Sequence, residues 1–317
     1  MGKGALSAVL LVAIILQHTA NGISMTSISQ SSLDTLTRIN LDDMLSNFGL
    51  SQMRFGRRIV ERLFWIPARQ LAEQILRFDA RVGEVGLQGA GRELLNKYAS
   101  HLKVIGAENI PATGGILFTT NHPGMTDTIT FFSGITRPDV QMVSNDRPFL
   151  RALPNITQKL IYVSDNPNER MGVVRQVTRV LQKGGGVYIC PAGQIEPDPA
   201  VMPGAIESLD TWSESLGTFV RLAPNSVIIP TVISNVVYAP SLTHPLTKIK
   251  RAPKDRERIA ATIQAFLHTT GWIRSQMHVR IEFGTPLKAS ELITLGDPVS
   301  ITRAIAQATA PLIGKCK

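Results

Sequence analysis

His122 and Asp127, the ends of Asn121-His-Pro-Gly-Met-Thr-Asp127, have the residue types and the spacing that proton transfer needs. A general base must reach the proton it removes, and its other ring nitrogen should be fixed by an orienting group. Asp127 is close enough in sequence to accept a hydrogen bond from His122 Nδ1, which leaves Nε2 for a substrate hydroxyl or amine. Such a dyad has no nucleophile of its own, so the substrate attacks directly and no covalent enzyme intermediate forms. The competing reading makes Asp127 a helix cap and His122 an ordinary turn residue.

The elements that must hold this pair are readable around it. Gly114–Thr120 is a short apolar run and reads as a buried strand, which Pro123 and Gly124 then break. Thr126 or Asp127 is the expected helix N-cap, with Ile129, Phe131 and Phe132 the first buried side chains. His122 is thereby placed at the carboxyl end of a strand, the edge where open α/β sheets bind ligands. A second strand, Val187–Cys190, is expected to exit beside it through Pro191-Ala-Gly193. Gly193 would let backbone approach a ligand, and the N–H groups there could stabilise an oxyanion.

From His101 onward strand and helix patterns alternate, which predicts an α/β fold, a mostly parallel sheet flanked by helices on both faces. Val173, Val174, Val177, Val180 and Leu181 make one apolar stripe of a helix that starts at Asn166-Pro-Asn-Glu169 and stops at Gly184-Gly-Gly186. A helix over Leu209–Leu222, a strand over Val227–Ser234, a helix over Asp255–His268, a strand over Met277–Phe283 and a closing helix over Ile301–Ile313 follow. Ahead of this domain (101–317), residues 25–100 read as an N-terminal amphipathic helical segment. Within it Arg54, Arg57, Arg58, Arg62, Arg69, Arg77 and Arg81 interleave with Phe55, Ile59, Leu63, Phe64, Trp65, Ile66 and Phe78. Basic residues among large apolar ones suit a helix lying on anionic lipid, and equally a helix capping the domain behind it. Residues 1–24 form an apolar leader whose twelve-residue run, Ala5–Leu16, is too short to span a bilayer; a signal, an interfacial anchor and a true start at Met25 all remain open.

A net charge of +9 favours an anionic partner, a membrane surface, nucleic acid or an acidic carrier protein. No helix-turn-helix, zinc-finger or ribonucleoprotein aromatic pattern supports nucleic acid. Lys248-Ile-Lys-Arg251 with Lys254, Arg256 and Arg258 is a second basic cluster, by default a solvated face. Cys190 and Cys316 lie too far apart in sequence to suggest a disulfide framework, and Cys190 reads as a small buried filler. His18, His101, His244, His268 and His278 fall at no metal-ligand spacing, so no metal is expected. Gly184-Gly-Gly186 and Gly89-Ala-Gly91 lack the surroundings of a phosphate loop or dinucleotide fingerprint, and no Gly-x-Ser-x-Gly elbow occurs.

Asn121, His122 and Asp127 together resemble the first motif of the phospholipid and glycerol acyltransferase family, which includes the 1-acylglycerol-3-phosphate acyltransferases. The order and spacing of Arg137-Pro-Asp-Val140, Ser144-Asn-Asp146, Leu160-Ile-Tyr-Val-Ser-Asp165, Val187-Tyr-Ile-Cys-Pro-Ala-Gly193 and Ile228-Ile-Pro-Thr-Val-Ile233 are similar to that family's as well, over roughly residues 101 to 235. Glycerophosphate-type members end the second motif in an arginine that grips phosphate; here Tyr162-Val-Ser-Asp-Asn-Pro167 has none until Arg170. The third motif, usually Pro-Glu-Gly, reads Pro191-Ala-Gly193, closer to the hemolysin-like and ornithine-lipid-type branch. Glu196 could stand in for the carboxylate missing from the third motif, but a solvated loop acid is the favoured reading.

The resemblance implies an acyltransferase with His122 and Asp127 catalytic, acyl-CoA or an acyl carrier protein as donor, and neither cofactor nor metal. It implies substrate contacts from Asn121, Pro191, Ala192 and Gly193, with Arg137, Arg147, Arg151 and Arg170 as candidates for the headgroup. The protein would work at the cytoplasmic face of a membrane, and the loss of the arginine fork, which removes bidentate phosphate recognition, argues against lysophosphatidate as the acceptor. Two rivals stand beside this reading: the same dyad activating water, as a thioesterase or lipid hydrolase, and a non-catalytic lipid-binding relative.

Overall fold

The structure, a computed structural model, describes residues 29–50, 56–124, 126–163, 166 and 170–316 apart from 271. The apolar leader, Arg54, Phe55 and the expected helix start at 167–169 lie outside the described residues. Two helices open the described chain, α1 (Gln30–Asn47) and the long α2 (Arg57–Tyr98), which breaks at Gly86, where φ is +74°. Then come β1 (His101–Ile105), β2 (Ile116–Thr120), α3 (Asp127–Gly134), β3 (Val140–Asn145), β4 (Leu160–Val163), α4 (Arg170–Gln182) and β5 (Gly186–Ile189). Apart from several one-turn helices, α5 (Ser215–Leu222), β6 (Val227–Ser234), α6 (Pro253–Thr270), β7 (His278–Phe283), β8 (Leu287–Lys288) and α7 (Pro298–Gly314) follow.

The eight strands form one sheet in the order β1-β7-β6-β2-β5-β3-β4, with β8 also on β6. The block β6-β2-β5-β3-β4 is parallel throughout. β7 and β8 run antiparallel to β6, and β1 runs parallel to β7, so one flank of the sheet is reversed. The fold is α/β, a mostly parallel sheet with helices on both faces. Alternation along β2 explains the layering. Ile116 and Phe118 point into one core with Phe131 and Phe132 of α3, whereas Leu117 points into the other with α4, α5 and α7. Every residue of β2 is buried, as the middle strand of a two-sided sheet must be. Each such Leu, Ile or Phe contributes roughly 1.5–3 kcal/mol on leaving water.

The N-terminal helices belong to the same body as the sheet. Ala72, Leu76, Val82, Leu87, Ala90 and Leu95 of α2 share their core with Ile116 and Phe118. Phe64 and Ala68 pack instead with Leu41, Leu45 and Phe48 and with Ile259, Ile263 and Phe266 of α6. Of the apolar residues at the start of α2, Ile59 (68% exposed) and Ile66 (43%) remain uncovered, beside exposed Arg58 and Arg62. No helix among the described residues is long and apolar enough to cross a membrane.

Candidate active site

Strand β2 ends at Thr120, and the next two residues are fixed by different means. Asn121 is buried, and its side-chain amide clamps the neighbouring strand: Nδ2 donates to Ile233 O at 2.9 Å and Oδ1 accepts from Ile233 N–H at 2.8 Å. Both ends of the amide are thus spent on β6, so its expected contact with substrate gives way to holding β2 and β6 together where the chain leaves the sheet. His122 follows at the carboxyl edge, its side chain about a third exposed at 34%.

Pro123 and Gly124 turn the chain back, and α3 starts at Asp127. Thr126 holds the N-cap position without a side-chain capping bond, so the capping falls to the Asp127 carboxylate. That carboxylate, 1% exposed, accepts from Thr128 N–H and Thr128 Oγ1 at Oδ1, and from Gly124 N–H (3.3 Å) at Oδ2. His122 Nδ1 lies 2.5 Å from the same Oδ2. Capping and orienting are therefore one carboxylate's work, and the two readings of Asp127 from the sequence are not exclusive. An ionised carboxylate only accepts, which puts the proton on Nδ1 and leaves Nε2 as the basic nitrogen. Burial of the ring pulls the imidazole pKa down. The Asp127 charge, its hydrogen bond and then the Glu196 charge outweigh this, and the pKa ends above the ordinary 6.5.

β5 exits beside β2, with Thr119 opposite Ile189 in register. Pro191 is buried, Ala192 is half-buried, and Gly193 is exposed with φ +62° and no atom within 4 Å of where a Cβ would stand. Gly193 N–H donates to Cys190 O at 3.1 Å, closing a turn. That N–H is already committed, so an oxyanion donor at this exit would have to be another amide. The Cys190 thiol sits 3.3 Å from the Tyr188 hydroxyl; burial, then the Asp127 charge, pushes its pKa well above the ordinary 9. That shift disfavours the thiolate, which is the nucleophilic form.

Glu196 is not the solvated loop acid favoured from its sequence. It is 2% exposed: Oε2 accepts from His122 N–H at 2.9 Å and Oε1 from Trp212 Nε1–H at 3.0 Å, with Ser208 Oγ 3.1 Å away. Its own N–H returns to His122 O at 2.9 Å. Two residues on, the wholly buried Asp198 gathers the N–H groups of Ala200, Asn235, Val236 and Val237, binding the same loop to the end of β6.

The four arginines separate. Arg137 is 5% exposed and lies at the other edge of the sheet, before β3. Its guanidinium pairs with both oxygens of Asp139 and donates to the carbonyls of Pro111, Gly114 and Gly184, which precede β2 and β5. All five N–H groups are occupied, about 17 Å of β2 away from the dyad, so its assignment to a headgroup is corrected: it ties three strand entrances together. Arg151 is paired through both arms with Asp146, at 2.8 Å each, and covers the Tyr162 ring at 3.9 Å. Arg147, exposed at the exit of β3, makes no side-chain hydrogen bond among the described residues, and its charge acts on Asp43 of α1. Arg170 opens α4, after the exit of β4. Arg147 and Arg170 are therefore on the edge that carries His122. Among the described residues no group of His, Cys, Asp and Glu is arranged to hold a metal ion.

No family model and no curated protein matches the sequence. Five solved chains match. One is the 1-acyl-sn-glycerophosphate (LPA) acyltransferase, PlsC, of Thermotoga maritima, at 13% identity and a TM-score of 0.43, over 90% of this chain and 93% of that one.

Proposed function

We propose that this chain is an acyltransferase that moves a fatty acyl group from an acyl thioester, acyl-CoA or acyl carrier protein, to a hydroxyl or amine of a lysolipid. The observation that carries the reading is the His122 Nδ1–Asp127 Oδ2 contact at 2.5 Å, with the carboxylate buried and the ring part-open at the sheet's carboxyl edge. His122 Nε2 takes the acceptor's proton as its oxygen or nitrogen bonds to the thioester carbonyl carbon. The tetrahedral intermediate then collapses, the C–S bond breaks, and the imidazolium returns the proton to the leaving sulfur. Asp127 stabilises the imidazolium formed in between. The raised Cys190 pKa disfavours a thiolate nucleophile beside the dyad. Pro191, Ala192 and Gly193 border the acceptor, and the open space above Gly193 admits it closely.

The acceptor needs no phosphate. Arg137 is spent on the far edge and Arg151 on Asp146, which leaves the exposed Arg147 as the candidate among the described side chains for any headgroup. Arg58 and Arg62 with Ile59 and Ile66 provide the docking face on an anionic membrane, with cationic side chains among headgroups and isoleucines among acyl chains.

The test is transfer from labelled acyl-CoA to a panel of lysolipids and amino-lipids with and without phosphate. His122→Ala should lower transfer about 10²–10⁴-fold, the usual contribution of a general base. Unchanged transfer in that variant would remove the proposal. Thioester cleavage indifferent to every acceptor would mark a hydrolase instead. A clear preference for lysophosphatidate would overturn the argument from the arginines while leaving the dyad in place.

A further inference from the structure

We infer that Glu196 is the positioning residue of His122, holding the main chain from which the imidazole projects and facing it with a second negative charge. The inference rests on His122 being the general base.

Both main-chain polar groups of His122 are bonded to Glu196. The N–H goes to its carboxylate and the carbonyl takes its amide N–H, each at 2.9 Å. The carboxylate is steadied from behind by Trp212 Nε1–H at 3.0 Å and by Ser208. One residue earlier, Asn121 is clamped to Ile233. With its backbone held on both sides, His122 keeps only its two side-chain torsions, and the Asp127 hydrogen bond fixes the ring. A base placed this way loses little entropy on reaching the transition state, where about 1 Å of misplacement can cost on the order of 10²-fold.

A tie to one backbone N–H needs no charge. Burial raises the Glu196 carboxyl above its ordinary range, with Trp212, His122 N–H and Ser208 pulling it back, so an anion here carries a folding cost that a neutral amide avoids. What the anion adds is its effect on the imidazolium. Among the described residues the charges acting on the ring are Asp127 from α3 and Glu196 from the loop after β5, and both favour the protonated form. Burial raises the pKa of Tyr188 in the adjoining β5 and of Cys190 just after it, which favours their neutral forms. Glu196 thus joins geometry and basicity at one residue, from a position four beyond Ala192.

Two substitutions in the full chain separate the two effects, read by histidine-labelled NMR titration with the His122 signal assigned through His122→Ala, and by steady-state acyl transfer. Glu196→Gln keeps the size and removes the charge. Its His122 titration should move to lower pH, and kcat should fall roughly tenfold to a hundredfold with KM within about twofold, the loss expected of a charge-assisted bond. Glu196→Asp keeps the charge but shortens the arm; its titration should stay near wild type while kcat still falls. Asp198→Asn, an equally buried carboxylate of the same loop, should lower thermal stability without moving the His122 titration.

An unmoved His122 titration in Glu196→Gln, or an equal movement in Asp198→Asn, overturns the inference. Should Glu196→Gln fail to fold, a wild-type kcat in Glu196→Asp overturns it as well. If the titration moves as expected in a protein that transfers no acyl group, the positioning stands and the acyltransferase reading falls.

Discussion

Replacing Asp127 by asparagine tests the dyad without emptying its space. In the native site Oδ2 receives Nδ1–H at 2.5 Å inside a pocket where the carboxylate is 1% exposed. Asparagine keeps an oxygen for Thr128 but turns an NH2 group toward His122, which favours the ring tautomer with its proton on Nε2. That tautomer has no lone pair to offer the acceptor. A hydrogen bond to a charged group is worth about 1.5–3 kcal/mol, and each 1.4 kcal/mol is tenfold, so losing this one from the transition state alone costs roughly 10–150-fold. The tautomer change adds to that, and the expected total is on the order of 10²–10⁴. The loss belongs in kcat with KM nearly constant, because the imidazolium exists only after proton transfer. The pH profile supplies a second reading. Wild-type kcat/KM should rise with pH through a pKa above 6.5, since the Asp127 and Glu196 charges outweigh burial, and in Asp127→Asn the limb should move down. The assay is acyl transfer from labelled thioester between pH 5 and 9. A variant retaining more than about a third of wild-type kcat, with its limb unmoved, would refute the assignment of Asp127 as orienting group.

Two further outcomes follow from buried groups away from the dyad. Arg137→Met should cost roughly 2–4 kcal/mol in urea denaturation, because the carbonyls of Pro111, Gly114 and Gly184 lose their donor, while KM for any acceptor stays put. A normal denaturation midpoint with a raised acceptor KM would instead return Arg137 to the headgroup. His268 is buried against Tyr98, and burial lowers its pKa to about 4. A depressed folded pKa gives stability that is complete above the unfolded value near 6.5 and lost as pH falls toward 4, at most about 3 kcal/mol. His268→Gln should flatten that acid loss, and an equally steep loss in the variant would place the acid-sensitive group elsewhere.

The parts of this architecture with strong local periodicity were legible in the residues. The strand expected over Val227–Ser234 has those bounds, and the run ending at Thr120 gives β2. The stripe through Val173, Val177 and Leu181 is the buried face of α4. What was not legible depends on segments distant in sequence. The reversed flank of β7, β8 and β1 depends on where the chain returns after α6, which no local pattern records. Arg137 before Pro138-Asp139 looks like a surface arginine until the loops at 111–114 and 184 close around it. Glu196 looks like a loop acid because its partners, Ser208 and Trp212, lie 12 and 16 residues on. One signal was present: in Glu196-Pro-Asp-Pro199 each carboxylate directly precedes a proline, and both are buried. A stretch with so little freedom is better suited to holding neighbours than to trailing in solvent.

Those placements bear on which acceptor can be recognised. A bidentate guanidinium fork is the usual means of gripping a phosphate, and it works only when its N–H groups are available. Arg137 has none left, and Arg151 presents both arms to Asp146. Arg147 remains at the correct edge, after β3, but it is shared electrostatically with Asp43 of α1; the backbone of Arg170 opens α4 after a different strand, β4. A single exposed arginine attracts an anion without fixing its orientation, since exposed ion pairs are worth only about 0–1 kcal/mol. Orientation of the acceptor must then come from contacts that do not need charge: the rim at Pro191–Gly193, the part-open imidazole, and the lipid surface against which Ile59 and Ile66 would lie. On the proposed acyltransferase reading, a lysolipid held by its glycerol or amide portion meets that requirement, and a small phosphate ester presented from solution does not.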